Sequence, residues 1–210
     1  MIVVHHLENS RSQRILWMLE ELGLPYEVTR YERNKATMLA PPELRRIHPL
    51  GKSPVIVDTE DGGRVVAETG AIVDYLADRA GGRLGPPAGR EAALRHRYWM
   101  YYAEGSLMPP LFAKLVVGRV PLFGRVAQKR LQPMIDIHLD HVEATLATRP
   151  WFAGDELTGA DVMMSFPLEA ARTRAGLDGS RPATVAWLDR IHARPAYQRA
   201  LKAGGPYAYA

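Results

Sequence analysis

MIVVHHLENSRSQRILWMLEELGLPYEVTRYE, residues 1–32, contains three kinds of pattern in one run. MIVVHHL is short, rich in β-branched residues and closed by a polar turn, so it reads as a strand. Ile15, Met18, Leu19 and Leu22 then recur at helical spacing, and the glycine and proline of GLP (23–25) stop the pattern. This predicts a helix over about 12–22. YEVTRYE (26–32) alternates as a second strand. Strand, helix and strand with tight connections imply a parallel pair joined by a right-handed crossover.

Working outward, SPVIVDTEDGGRVVAE gives two β-branched runs, 54–58 and 64–67, with the DGG turn signal of a hairpin between them. ETGAIVDYLADRAGG follows as a helix with Ile72, Tyr75, Leu76 and Ala80 on one face and glycines at its end. GGRLGPPAG (81–89) has no periodicity and reads as a linker. Beyond it every pattern is helical. Leu94, Tyr98, Tyr101, Gly105, Met108, Phe112 and Leu115 trace one long stripe with a kink expected at Pro109 and Pro110. A second helix runs through Leu131, Ile135, His138, Val142 and Leu146. A third begins at LTGADVMM, where Thr158 and Asp161 have capping-box spacing. A fourth holds Val185, Leu188, Ile191 and His192. The expected architecture is a βαβ-ββα domain (1–80), a linker (81–89) and an all-helical domain (90–210).

Composition narrows the function classes. With 210 residues, 47% of them hydrophobic and 24% charged, the chain is long and apolar enough to bury a core and is not of disordered type. No apolar run spans a bilayer, and MIVVHHLENS lacks the basic start and apolar stretch of a signal peptide, so a cytoplasmic protein with no membrane partner is expected. The absence of cysteine excludes disulfides and catalysis by an enzyme thiol. Residues 81–210 carry 17 Lys and Arg against 11 Asp and Glu, but no basic cluster is interleaved with stacking aromatics, so nucleic acid is not an expected partner. His5 and His6 lie on opposite faces of a strand with no spaced third ligand, so no metal site is expected.

Together these segments resemble the cytosolic glutathione S-transferases over almost the whole chain. NSRSQRILWMLEELGLPYE is similar to the family's first turn and helix, and HPLGKSPVIVD to its loop, cis-proline and third strand. ETGAIVDYL matches its acid-hydroxyl pair, YAEGSLMPPL is similar to a bacterial and fungal subgroup, and LTGADVMM resembles its sixth-helix capping box. The resemblance implies a thioredoxin-like first domain that binds glutathione as co-substrate, and a homodimer. It also implies transfer of the tripeptide's thiolate to a small apolar electrophile, with glutathione-dependent peroxide reduction as a further activity of the same sulfur. The alternatives are a glutathione-dependent isomerase, or a non-catalytic glutathione-binding or regulatory protein on this fold.

A free thiol titrates near 8.5, so only about 3% is ionised at neutral pH, and lowering that value by two units requires roughly 2.7 kcal/mol of preference for the anion. A hydroxyl donor at the positive end of a helix suits that task. Ser10 stands four residues before Arg14, the spacing of the serine-type members, and is nominated as the donor. Asn9 is the runner-up, one residue offset onto the cysteine position of other classes, and Ser12 is third; the competing reading is that these hydroxyls cap the helix. The resemblance further implies Lys52 for the glycine carboxylate and Ser53 with cis-Pro54 for the cysteinyl backbone. It gives Thr69 to the γ-glutamyl carboxylate and Glu68 to its ammonium group. His6, Tyr98, Tyr102 and Met108 are the candidate walls of the electrophile pocket, with core packing and subunit contact as their competing roles.

Overall fold

A computed structural model describes residues 1–209. Contacts divide the chain into two compact units, residues 1–85 with 192–208, and residues 86–191 with Tyr209. The sequence expectation assigned everything from residue 90 to the helical domain; the segment 192–208 instead belongs with the first unit.

In that unit β1 (Ile2–Leu7), α1 (Ser12–Leu22) and β2 (Tyr26–Tyr31) form the expected parallel crossover, followed by the short α2 (Leu44–Ile47). β3 (Val55–Asp58) and β4 (Arg64–Ala67) make the hairpin, and α3 (Thr69–Arg79) follows. The sheet order is β2-β1-β3-β4, with β3 antiparallel to both neighbours, a thioredoxin-like arrangement. As a central strand β1 is covered on both faces, and Val4, His5, His6 and Leu7 are all buried. Gly23 ends α1 in the left-handed conformation at φ +64°, and the Gly23 and Leu24 amides both return to the Leu19 carbonyl, so a β-carbon there would be strained.

α9 (Pro195–Gly204) packs on α1. An ion pair fastens the two: Arg194 Nη2 donates to Glu21 Oε2 at 2.8 Å, its Nε to Oε1, and the Trp17 indole also donates to Oε1 at 2.9 Å. Burial pushes the Glu21 carboxyl up, but the bonds from Arg194 and Trp17 outweigh it and hold the group below its ordinary value. A lowered folded-state pKa means this stabilisation is full at neutral pH and is lost as pH falls through that value. We therefore expect Arg194→Met to destabilise the chain by about 1–2 kcal/mol at pH 7, part-exposure of the arginine limiting the effect, with little difference from wild type in strong acid. Thermal melts at the two pH values check this, and equal losses at both would contradict it.

The second unit holds α4 (Arg90–Tyr102), a π-helical turn (Ala103–Leu107), α5 (Met108–Val117), α6 (Gly124–Leu146), α7 (Gly159–Arg174) and α8 (Pro182–His192), whose last residue joins the first unit. The expected kink at Pro109 and Pro110 takes the form of that π turn, in which the Met108 amide reaches back to the Ala103 carbonyl. Two consecutive prolines remove two amides and crowd the carbonyls four residues earlier, so widening the preceding turn relieves both. Thr158 and Asp161 form the expected capping box at the start of α7.

Candidate functional site

Strand register brings the candidate residues of the first unit to one end of the sheet. His5 pairs with Val55, and Val55 with Ala67. The turn 8–11 leaving β1, the segment 52–54 entering β3, and Glu68 with Thr69 leaving β4 therefore lie beside one another. The N-termini of α1 and α3 open at the same end, so their partial positive charge favours an anion there.

The Ser53–Pro54 peptide is cis. Ser53 Oγ donates to the His5 carbonyl at 2.8 Å and accepts the Leu7 amide at 3.2 Å, tying the proline loop to the end of β1. Pro54 is buried and Lys52 is exposed. Glu68 is exposed and sits at φ +70°, while Thr69 is 6% exposed at the first position of α3. A non-glycine residue held at positive φ is a strained geometry that concentrates at functional sites. Asn9 shares it, at φ +49°.

Ser10 and Ser12 occupy different chemical positions. Ser12 is fully buried; its Oγ lies 2.9 Å from His6 Nδ1 and accepts the Leu7 amide at 3.2 Å. Ser10 is 5% exposed; its Oγ lies 2.7 Å from Ser12 Oγ and accepts the Ser12 amide at 3.2 Å. That last bond is a local turn contact ahead of α1, whose N-cap is Arg11 without a side-chain cap, and it uses a lone pair of Ser10 and not its hydrogen.

Proton positions follow from His6. Burial, then the nearby positive charge of Arg30, lowers its pKa to about 4, opposed by a backbone hydrogen bond to Gly204 that favours the protonated ring. The ring is therefore neutral at pH 7, donates to Gly204, and leaves Nδ1 as an acceptor. Ser12 gives its single hydrogen to Nδ1 and accepts from Leu7. The hydrogen of Ser10 then points to Ser12 or rotates to another acceptor, without stranding any buried group.

His6, a candidate pocket wall in the sequence reading, is 2% exposed, with ring bonds to Ser12 and Gly204. Tyr102 and Met108 are also buried, at 8% and 7% exposure. The Tyr102 hydroxyl lies 2.6 Å from His138 Nδ1 and its ring contacts Tyr98, Trp99 and His141, a packing role within the helical unit. Burial raises the Tyr102 phenol well above its ordinary value, so it stays protonated. Tyr98 is 47% exposed, with its hydroxyl 3.1 Å from His141 Nε2. The sequence placed His138 on the apolar stripe of its helix but did not name His141, one turn further along α6, which the same spacing of threes and fours would have reached. Among the described residues no group of three or more His, Asp and Glu is arranged to hold a metal, and no helix is long and apolar enough to cross a membrane.

Comparison with known proteins bears directly on this arrangement. Residues 10–79 match the model of the glutathione S-transferase N-terminal domain, and residues 109–195 that of the C-terminal domain. The chain belongs to the glutathione S-transferase family. It is 39% identical over 186 residues to glutathione S-transferase 3 of Schizosaccharomyces pombe, covering 82% of this chain and 75% of that one. It is 35% identical over 218 residues to glutathione S-transferase 1 of Saccharomyces cerevisiae, covering 93% and 92%. A crystal structure of a glutathione S-transferase from Actinobacillus pleuropneumoniae superposes with a TM-score of 0.84 at 34% identity, covering 96% of this chain and 92% of that one. The protein is thus an enzyme of the glutathione transferase class.

Proposed function

We propose that the end of the sheet built from residues 9–12, 52–54 and 68–69 binds glutathione and holds its sulfur as the thiolate, which attacks a small apolar electrophile. The observation that carries this reading is the convergence, fixed by strand register, of a buried hydroxyl turn, a cis-proline loop and two helix N-termini. Ser10 is the thiolate donor, with Asn9 and Ser12 as its neighbours in the turn. The backbone around Ser53 and Pro54 pairs with the cysteinyl residue, strand to strand. Lys52 neutralises the glycine carboxylate, Thr69 receives the γ-glutamyl carboxylate at the start of α3, and Glu68 receives its ammonium group.

In this reading the protein supplies position and anion stabilisation, with no covalent enzyme intermediate. The sulfur forms the new carbon–sulfur bond, and the electron pair departs with the displaced group or onto the adjacent carbon of an activated double bond. Peroxide reduction would use the same sulfur. The candidates for the electrophile wall are His6, Tyr98, Tyr102 and Met108, of which Tyr98 is the exposed one.

A homodimer belongs to the same proposal. Leu94, Tyr98 and Tyr101 form an exposed stripe along α4, at 54%, 47% and 74% exposure, an apolar area of the kind subunits cover.

The test is calorimetric titration with glutathione, joined to the ultraviolet difference spectrum of bound thiolate. Thr69→Val keeps the side chain's shape and removes its hydroxyl, so affinity should fall about tenfold with turnover at saturation unchanged. No heat of binding from well-folded wild-type protein would reject the proposal.

A further inference from the structure

The segment following α9 returns to the turn that carries the candidate thiolate donors. Arg30 of β2 donates to the Ala203 carbonyl through Nε at 3.1 Å and Nη2 at 2.6 Å, closing the end of α9. Gly204 lies against α1 so closely that a β-carbon would come within 2.2 Å of Gln13 Oε1, and Gly205 turns the chain at φ +85°. Three residues later the Ala208 amide donates to Asn9 Oδ1 at 2.8 Å. Gly204 also holds the ring of His6, whose Nδ1 faces Ser12.

Each contact removes an ambiguity in donor direction. A carboxamide presents either its oxygen or its NH2 group to a given side, and the two are nearly isosteric. Toward a thiolate they are opposites, one repelling and the other stabilising. The Ala208 amide can face only an acceptor, so it fixes the Asn9 oxygen toward itself and leaves NH2 as the donor. The bond to Gly204 likewise makes His6 an acceptor at Nδ1, so Ser12 gives its hydrogen to the ring and Ser10 donates the 2.7 Å bond to Ser12 Oγ. Donors oriented before the charge arrives avoid reorganisation when it does.

We infer that Ala208 is a positioning residue of the thiolate site: the segment after α9, held at Ala203 by Arg30 and packed at Gly204 against α1, straps the turn and sets the donor direction of Asn9. The inference rests on the proposal that glutathione binds at this turn. It assigns a function to a backbone amide of that segment.

Ala208→Pro removes the one N–H and keeps the chain. In the folded variant the apparent pKa of bound glutathione, read from the pH dependence of thiolate absorbance, should rise by about half a unit, and turnover at pH 6.5 should fall about threefold, with the KM for glutathione within twofold. In an Asn9→Ala background, Ala208→Pro should change neither quantity further, because the proline acts through the carboxamide. A chain ending at Gly205 should reproduce the Ala208→Pro values, which guards against a local distortion by proline. An unchanged thiol pKa in both folded variants, or an equal shift in the Asn9→Ala background, would overturn the inference. Failure of the glutathione reading looks different, since wild type itself would then give no bound thiolate.

Discussion

Ser10→Ala is expected to lower kcat at least tenfold at neutral pH while leaving the KM for glutathione within about threefold. A hydrogen bond to a charged group contributes about 1.5–3 kcal/mol, against the roughly 2.7 kcal/mol needed to ionise most of a thiol at pH 7. Removing that single donor therefore returns the bound thiol most of the way toward 8.5, and the rate lost at pH 7 should be largely regained near pH 9. Affinity should change little, because in the proposed mode the tripeptide is held mainly by its carboxylates and backbone. Ser12→Ala supplies the contrast. Its Oγ is fully buried between the Leu7 amide and His6, so its loss should cost about 2 kcal/mol of stability before it costs rate. An unchanged kcat in Ser10→Ala, with a collapse in Asn9→Ala, would move the donor role to the neighbouring carboxamide.

That contrast was only partly legible in the sequence. The order Ser10-Arg11-Ser12 identified a hydroxyl-rich helix entrance, and GLP fixed the length of α1 through the left-handed Gly23. What separates the two serines is tertiary: His6, six residues upstream of Ser12, reaches it only because β1 and α1 fold back on one another. Strand alternation placed His5 and His6 on opposite faces, and because β1 is a central strand both are buried, which alternation alone does not tell.

Other elements escaped for local reasons. α9 buries Ala196, Tyr197, Ala200 and Gly204 at clear helical spacing, but three of the four are alanine or glycine, small residues easily passed over although the face packs closely on α1. α2 is four residues long, less than the period needs. The π turn before Pro109 adds one residue to a helical turn, a change too small for a stripe of threes and fours to reveal. The sheet end that gathers residues 9, 53 and 69 could be anticipated from strand order, whereas the return of Ala208 to Asn9 has no sequence signature, being a backbone amide on an irregular segment.

The largest expected loss of stability lies in the second unit, at Asp161. The side chain is fully buried; Oδ1 accepts the Phe152 amide at 3.0 Å, and Oδ2 accepts the Thr158 amide at 2.9 Å and its hydroxyl at 3.2 Å. Asp161→Ala strands these donors and opens the capping box, so a loss of about 2–4 kcal/mol at pH 7 is expected. Its pH dependence is the sharper test. Burial pushes the carboxyl up to about 6, against the opposing pull of its hydrogen bonds from Phe152 and Thr158. A folded-state value raised above the unfolded one means that the stabilisation is full below about pH 4 and falls as pH rises through 6. The gap between wild type and Asp161→Ala should therefore be wider at pH 4 than at pH 7, by up to about 3 kcal/mol, and constant above pH 7. Urea melts of both proteins across that range measure it. A gap that instead widened with rising pH would mean that the Phe152 and Thr158 donors outweigh burial and that the carboxyl titrates below its ordinary value. Asp161 would then anchor α7 as a charge and not as a group tolerated despite its charge.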